Sequence, residues 1–513
     1  MRYKLLFFIV LSVLSCALCL TAHAEDAAFD GTDVAATGFG SAYLLDDGDE
    51  RSFASAEGGS ITLTNEAGIS SLYVVFNRLP EVWTLTDTAS GKSVDCAEYG
   101  FLHEFVDVEE RFGNAPTELV MSFSGYVSIS EVYGFTKGEL PAWVQRWEPP
   151  CEQADLLMLS SHSDDEHLFF AGVLPYYAVE RGMTVQVAYI INHFDTYARP
   201  HEQLDGLWAV GVRHYPVMTD FPDLYSESEE QALNAFAAYG IGFEDYVGFI
   251  TDTIRRFKPL VVMSHDVDGE YGHGTHILCS KALMQAVELT MDAEYRPESA
   301  QQYGTWDVEK TYLHLYKENP VVMNWDVPLE KFGGLTAFEA SRLGFDCHTS
   351  QHWTWFYGWI YGKNAPITKA SEIATYSPCE YGLYRTTVGA DVVGGDFFEN
   401  VMTYEQRAAA EEAARLEAEE KARLEAEAAA KAQAEAEAAA KAEAEAKAKA
   451  EQEAAASSAA QTALNAVDEA ESERSPLLMV VVICCVAGVL FIVTALLYAR
   501  ERKQRRTPPR KKR

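Results

Sequence analysis

The chain has 513 residues, nine cysteines and a formal charge of −36. That length accommodates more than one domain. With the +2 of residues 1–24 and the +8 of residues 500–513 set aside, residues 25–475 carry −46, a surface that repels nucleic-acid backbones and excludes that class of partner.

Residues 1–24 place Arg2 and Lys4 before an apolar run from Leu5 to Leu20 and the stretch "TAHA". That order predicts a signal peptide cleaved after Ala24. Residues 25–150 show short alternating runs, among them "SITLTN", "SLYVVFNRL" and "ELVMSFSGYVSISEVYGF", separated by Gly, Asn and Asp clusters. Their spacing predicts an all-β sandwich.

From Ala154 the pattern changes. "ADLLMLS" reads as a buried strand, "DEHLFFAGVLPYYAVERG" as a helix closed by Gly182, and "MTVQVAYII" as a second strand. "RPHEQLDGLWAVGV" and "YVGFITDTIRRFKP" read as helices, and "LVVMSHD" as another buried strand. Strands alternating with helices predict an α/β domain over 151–403 with a Rossmann-like, mostly parallel sheet. Ligands of such sheets bind beyond the carboxyl ends of the strands.

Residues 404–475 are built largely of Ala, Glu and Lys, strong helix formers. Acid-to-base pairs at i, i+4, such as Glu417 with Lys421 and Glu427 with Lys431, support a helix. Leu416 and Leu424 stand nearly alone, so no coiled-coil seam runs along it. A solvated helical spacer is expected, about 75 Å long over 407–456. Residues 476–499 carry no charge and predict a transmembrane helix; the basic run 500–513 predicts a cytoplasmic tail. The expectation is a single-pass cell-membrane protein, anchored by one C-terminal helix with its catalytic part extracellular. Outside 1–24 and 476–499 the cysteines are Cys96, Cys151, Cys279, Cys347 and Cys379, an odd set without CxxC spacing. A dense disulfide framework and a cysteine zinc site are both disfavoured.

Two segments carry chemistry. "SHSDDEH", Ser161 to His167, follows the first buried strand, and "SHDVDGEYGHGTH", Ser264 to His276, follows another. Clustered carboxylates repel one another, so a buried cluster calls for a cation. Imidazole and carboxylate donors from two strand ends suit Zn2+ or another divalent metal. A catalytic site of this kind uses three protein ligands and leaves a position for water, beside which a carboxylate can act as base.

The first motif resembles the AHPDDE signature of the PIG-L/LmbE-like deacetylases, and "GEYGHGTH" resembles their second motif. "RPHEQLDGLWAVGV" is similar to the helix between them, and the resemblance covers roughly 154–400. It implies a metal-dependent hydrolase that removes acetyl from N-acetylglucosamine units. By that resemblance His162, Asp165 and His276 are metal ligands and Asp164 is the general base that activates the attacking water. His273 stabilises the tetrahedral intermediate or protonates the leaving amine, Tyr271 lies near the developing oxyanion, and Arg199 contacts substrate. Glu166 is expected at a helix start, and His167 and His193 as ordinary polar residues. Ser163 departs from the family's proline, and Thr275 from the acid many relatives carry between the two histidines. The N-terminal sandwich resembles galactose-binding-like modules, which implies carbohydrate binding; a packing role is the other reading. The aromatic run "HWTWFYGWIYG", 352–362, is expected as core or site wall. The function expected is a membrane-anchored N-acetyl sugar deacetylase with an N-acetylated carbohydrate or glycoconjugate as its partner. Another metal-dependent amide or ester hydrolase, or an inactive glycan-binding surface protein, stands as the alternative.

Overall fold

The computed structural model describes residues 31–472 and 476–504. The expected signal peptide, 1–24, and most of the basic tail lie outside the described residues. The chain divides into two compact units, Met1–Arg407 and Ala408–Arg513.

In the first unit, seven strands join one antiparallel network: β1 Asp33–Thr37, β2 Ala54–Thr64, β3 Ser71–Phe76, β4 Trp83–Asp87, β5 Ser93–Cys96, β6 His103–Asp107 and β7 Glu118–Phe135. The long β7 pairs with β2, β3 and β4, so the strands of the expected sandwich form one connected sheet. Period-2 burial explains it: in β4, Trp83, Leu85 and Asp87 are buried while Thr84 and Thr86 are not.

The second sheet has the order β10-β9-β8-β11-β12-β14-β13. Its strands are β8 Leu156–Ser160, β9 Val185–Ile191, β10 Val217–Phe221, β11 Val261–Ser264, β12 Lys310–His314, β13 Pro320–Val322 and β14 Glu380–Thr386. β8 and β9 are buried at every residue, which is why they read as continuous apolar runs. One face is covered by α2 Phe243–Phe257 and α3 Gly274–Leu289, packing Tyr246, Ile250 and Leu283 against Leu157, Ile190 and Val262. The other is covered by α1 Arg199–Ala209 and α4 Ala337–Cys347, with Leu204, Leu207 and Phe345 against Met158 and Val187. Each fully buried Leu or Phe here contributes roughly 1.5–3 kcal/mol.

The expectation of a mostly parallel sheet is corrected. The second sheet is mixed: the four pairings that join β10, β9, β8, β11 and β12 are parallel, but β14 runs antiparallel to both β12 and β13, and over both sheets eight of the twelve strand pairings among the described residues are antiparallel. The fold combines mixed sheets with helices. The physical reason is the return of the chain after residue 323: β14 re-enters between β12 and β13 in the opposite sense, bonding both edges at once. A short helix, α5 Trp355–Tyr361, lies on that excursion.

The expected anchor is also corrected. No helix among the described residues is long and apolar enough to cross a membrane. The C-terminal run forms α7, Pro476–Gln504. The transmembrane helix, the membrane partner and the single-pass cell-membrane location therefore lose their support. Ahead of it α6, Tyr404–Ser472, is exposed along nearly all of its described length, and Leu416 and Leu424 are each 53% exposed. Its ion pairs use other partners than the sequence suggests: Arg415 takes Glu412 and Glu419, and Arg423 takes Glu420. Within the first unit, Tyr404 at its start donates to Lys258 O at 2.6 Å. Cys96, Cys151, Cys279, Cys347 and Cys379 are all free thiols.

Candidate active site

β8 and β11 are parallel neighbours, with Leu156 opposite Val261 and Met158 opposite Met263. The two motif loops therefore leave the same edge of the sheet. They are tied directly, since Ser161 N–H donates to His265 Nε2 at 2.9 Å. The helix expected from Asp165 onward does not begin there; the segment passes through turns to a π-helical run at Pro175–Glu180. The cause lies at Asp164, whose φ of +125° is a conformation that L side chains rarely adopt. Such a residue costs about 1–3 kcal/mol and persists only where its surroundings hold it. Here its N–H donates to Glu166 Oε2 at 3.0 Å and its carbonyl accepts from His167 N–H at 2.9 Å and Leu168 N–H at 3.0 Å.

The loops bring His162, Asp165 and His276 together. His162 Nδ1 and His276 Nε2 each lie 3.3 Å from Asp165 Oδ2, and 3.3 Å from one another. All three side chains are buried, and His162 Nε2 has no hydrogen-bond partner. Burial pushes the Asp165 carboxyl up, but the charge of His276 and hydrogen bonds from His162 and His276 outweigh it and hold it well below its usual range. For His276 the balance also opposes burial: Asp165 and Glu270 raise it to about 10. Donors of a tetrahedral ion held at ~2.0–2.1 Å stand about 3.3–3.4 Å apart, so this triangle fits a divalent cation in size and in donor type.

Glu270, fully buried, organises the imidazoles from behind. Its Oε2 accepts from His276 Nδ1 at 2.7 Å and His265 Nδ1 at 2.9 Å, and its Oε1 from His314 Nδ1 at 2.6 Å. With Nδ1 engaged, His276 turns Nε2 towards Asp165, the tautomer a ligand needs. His265 Nε2 also lies 3.5 Å from Asp165 Oδ2.

Asp164 lies beside the triangle on a cavity of about 400 Å³. Burial pushes its carboxyl well above the usual range, against the opposing pull of Arg199, whose Nη2 lies 3.5 Å from Oδ1. Arg199, at the start of α1, also donates to the Ser163 carbonyl, so it braces the loop as well as lining the cavity. His273 and Tyr271 line the same cavity. Burial, then the charges of His276 and His162, lower His273 to about 2, and its Nδ1 has no partner. Tyr271 occupies a left-handed turn at φ +49°. The aromatic run supplies the lip: Trp353 is 84% exposed, and Trp355 and Phe356 line the wall with it. A larger cavity of about 670 Å³, beside Tyr99, Tyr215 and Arg256, holds none of the motif residues; the chemistry-bearing side chains converge on the smaller one.

Two residues of the site escaped sequence reasoning. Asp223, two residues after β10, places Oδ1 3.6 Å from His162 Nε2 and Oδ2 3.4 Å from His193 Nδ1. His314 ends β12 and bonds Glu270. The available signal was the same for both: a lone polar residue at the carboxyl end of a strand. His193, expected as ordinary, accepts from Ser163 N–H at 3.2 Å and so buttresses the first loop. Asp266 and Asp268 stay outside the triangle; each contributes to the turn between them.

Comparison with known proteins agrees with the motif. Residues 157–287 match the family model described as PIG-L, GlcNAc-PI de-N-acetylase. The 1D-myo-inositol 2-acetamido-2-deoxy-alpha-D-glucopyranoside deacetylase of Streptomyces avermitilis is 26% identical over 180 residues, 31% of this chain and 60% of that protein. Its counterpart in Geodermatophilus obscurus is 25% identical over 179 residues, again 31% and 60%. The chain thus spans about three-fifths of the length of these relatives. Among solved structures, N,N'-diacetylchitobiose deacetylase from Pyrococcus horikoshii aligns with 46% of this chain and 86% of its own, at 13% identity and a TM-score of 0.32.

Proposed function

From a chain that carries a PIG-L family domain at residues 157–287, we propose that it is a metal-dependent hydrolase removing the acetyl group from N-acetylglucosamine-type sugars or glycoconjugates. The observation that carries this reading is the buried 3.3 Å triangle of His162, Asp165 and His276, with Asp164 beside it on an open cavity. The relatives' names supply the substrate class.

His162, Asp165 and His276 would hold zinc or a similar divalent ion. When bound, that ion polarises the amide carbonyl and makes water more acidic at working pH. Asp164 takes the proton from the attacking water and passes it to the leaving nitrogen. The water oxygen bonds to the acetyl carbon, the carbon–nitrogen bond breaks, and the products are acetate and the free amine. His273, held neutral, offers an imidazole N–H to the developing oxyanion, and Tyr271 stands on the same wall. Arg199 fixes Asp164 and closes that side of the cavity. Trp353 and Trp355 present flat apolar faces where a pyranose ring would enter.

The test is acetate release by the full chain from a panel of N-acetylated sugars, with Asp164→Asn as control. Loss of a general base lowers kcat by about 10²–10⁴-fold, with metal content unchanged. Release that survives Asp164→Asn, or no release from any N-acetyl sugar by metal-replete protein, would overturn the reading.

A further inference from the structure

Directly behind the first motif lies a second cluster of ligating side chains. Glu166 and His167 come from the turn that follows Asp165, and His348 caps the end of α4. All three side chains are fully buried. One donor atom from each lies within 4.8 Å of the others. Glu166 Oε1 stands 3.4 Å from His167 Nε2 and 4.0 Å from His348 Nε2.

None of these donors is satisfied. Glu166 Oε1 and all four imidazole nitrogens of His167 and His348 are buried without a hydrogen-bond partner. A buried polar group left unpaired costs about 1–3 kcal/mol, and native folds hold few of them. Three of them, one from each residue, lie within 4.8 Å of one another and call for a ligand. Gly206 of α1 packs directly against both rings: a Cβ there would sit 2.7 Å from His167 Nε2 and 2.9 Å from His348 Nε2, so only glycine is accommodated at this position. Another trio, Glu50, His103 and His201, with Glu50 only half-buried, lacks this character: its imidazoles bond each other at 2.8 Å, and His103 bonds Tyr73 at 2.9 Å.

We propose that Glu166, His167 and His348 form a second divalent-cation site, of the two-imidazole, one-carboxylate type that suits zinc, separate from the triangle in the cavity. Tetrahedral donors stand about 3.4 Å apart; the Glu166–His167 edge already has that length, and the His348 edge closes by a fraction of an ångström. The site is structural. Glu166 faces the cation with Oε1 while Oε2 keeps the Asp164 N–H, so the ion pins the turn that holds the proposed base at positive φ. His348 opens the segment leading to the aromatic lip, whose Thr349 and Ser350 are fastened to Glu202 of α1. One ion thereby joins the catalytic turn, α1 and the lip.

The inference does not depend on the hydrolase reading, because its test counts metal. The full chain is purified, loaded with excess zinc, dialysed against metal-free buffer to remove the unbound ion, and analysed by plasma mass spectrometry. A His162→Ala/His276→Ala double variant, which removes the triangle, is expected to retain one equivalent per chain. Adding His348→Gln is expected to remove it. Should the triple variant fail to fold, X-ray absorption on the zinc-loaded double variant decides, with two imidazoles and one carboxylate oxygen expected around the metal. No metal in the double variant, or a retained metal whose shell lacks two imidazoles, would overturn the site and leave a buried water as its occupant.

Discussion

Glu270→Gln tests the reading of the site most directly, because it changes charge and hydrogen bonding without changing volume. The carboxylate collects three imidazole N–H groups, two on Oε2 and one on Oε1. An amide has one acceptor oxygen and an NH2 that donates. Placing NH2 on the Oε2 side would confront both His265 and His276, so the oxygen takes that side and NH2 faces His314. His314 must then shed its Nδ1 proton or move, which disturbs its 2.8 Å contact with the Ser377 carbonyl. His276 keeps an acceptor but loses the negative charge behind it. Replacing an outer carboxylate of this kind lowers metal affinity by about 10–100-fold, or ~1.4–2.7 kcal/mol. Losing one charge-assisted bond in the metal-free protein costs roughly 1.5–3 kcal/mol more. Zinc affinity is read by competition with a chromophoric chelator, and metal-free stability by thermal unfolding. A variant that binds zinc within about threefold of the parent, with the fold intact, would refute the idea that Glu270 sets the His276 tautomer.

Three other outcomes are expected. Trp353→Ala removes an 84% exposed ring; stability should move by less than about 0.5 kcal/mol, while KM for a sugar substrate rises about 2–10-fold at constant kcat, and an unchanged KM would take the lip out of substrate binding. Gly362→Ala acts on the end of α5, where φ is +93° and a Cβ would lie 1.8 Å from the Ala365 carbonyl oxygen; a loss of about 2–4 kcal/mol is expected, and an unshifted melting curve would contradict the packing described there. Glu104 lies 6% exposed with Ala97 N–H on one oxygen, and burial pushes its carboxyl up to about 7 from an ordinary 4.5. The folded state therefore favours the protonated form, so stability falls as pH rises from about 4.5 through 7, by roughly 1–3 kcal/mol in all. Glu104→Gln keeps an acceptor for Ala97 and removes the titration, so its stability relative to the parent should improve across that window; a difference independent of pH would refute the assignment.

The parts of the site that showed in the sequence share a physical property: they are locally improbable for packing. Asp164, Asp165 and Glu166 in a row, directly after a strand of apolar residues, leave a cation as the simplest way to bring them inside. The same holds for His273 and His276 after the strand that ends at Ser264. Asp223 and His314 carry no such local signal. Each is a single polar residue, and its importance follows only from strand order, which sets β10 and β12 on either side of the β9-β8-β11 centre. Strand direction is equally silent. "EYGLYRT" reads as a strand whichever way it runs, so the antiparallel entry of β14 emerges only from its pairing with β12 and β13.

The helix expected at "DEHLFF" fails for a reason that also explains the second cluster. Its apolar spacing satisfies a helical pattern, yet Asp164 at φ +125° and the bond from its N–H to Glu166 turn the backbone away from helix at the first step. A regular helix starting at Asp165 would send Glu166 and His167 to different azimuths, about 100° apart. The turn instead brings Glu166 Oε1 to 3.4 Å from His167 Nε2 and sets the His167 ring against Gly206 and Gly344, where only glycine leaves room: a methyl group at 344 would sit 2.3 Å from that ring. Two glycines on two helices, three ligating side chains with unpartnered donor atoms and a strained base are thus one arrangement, and an ion at its centre would account for all of them together.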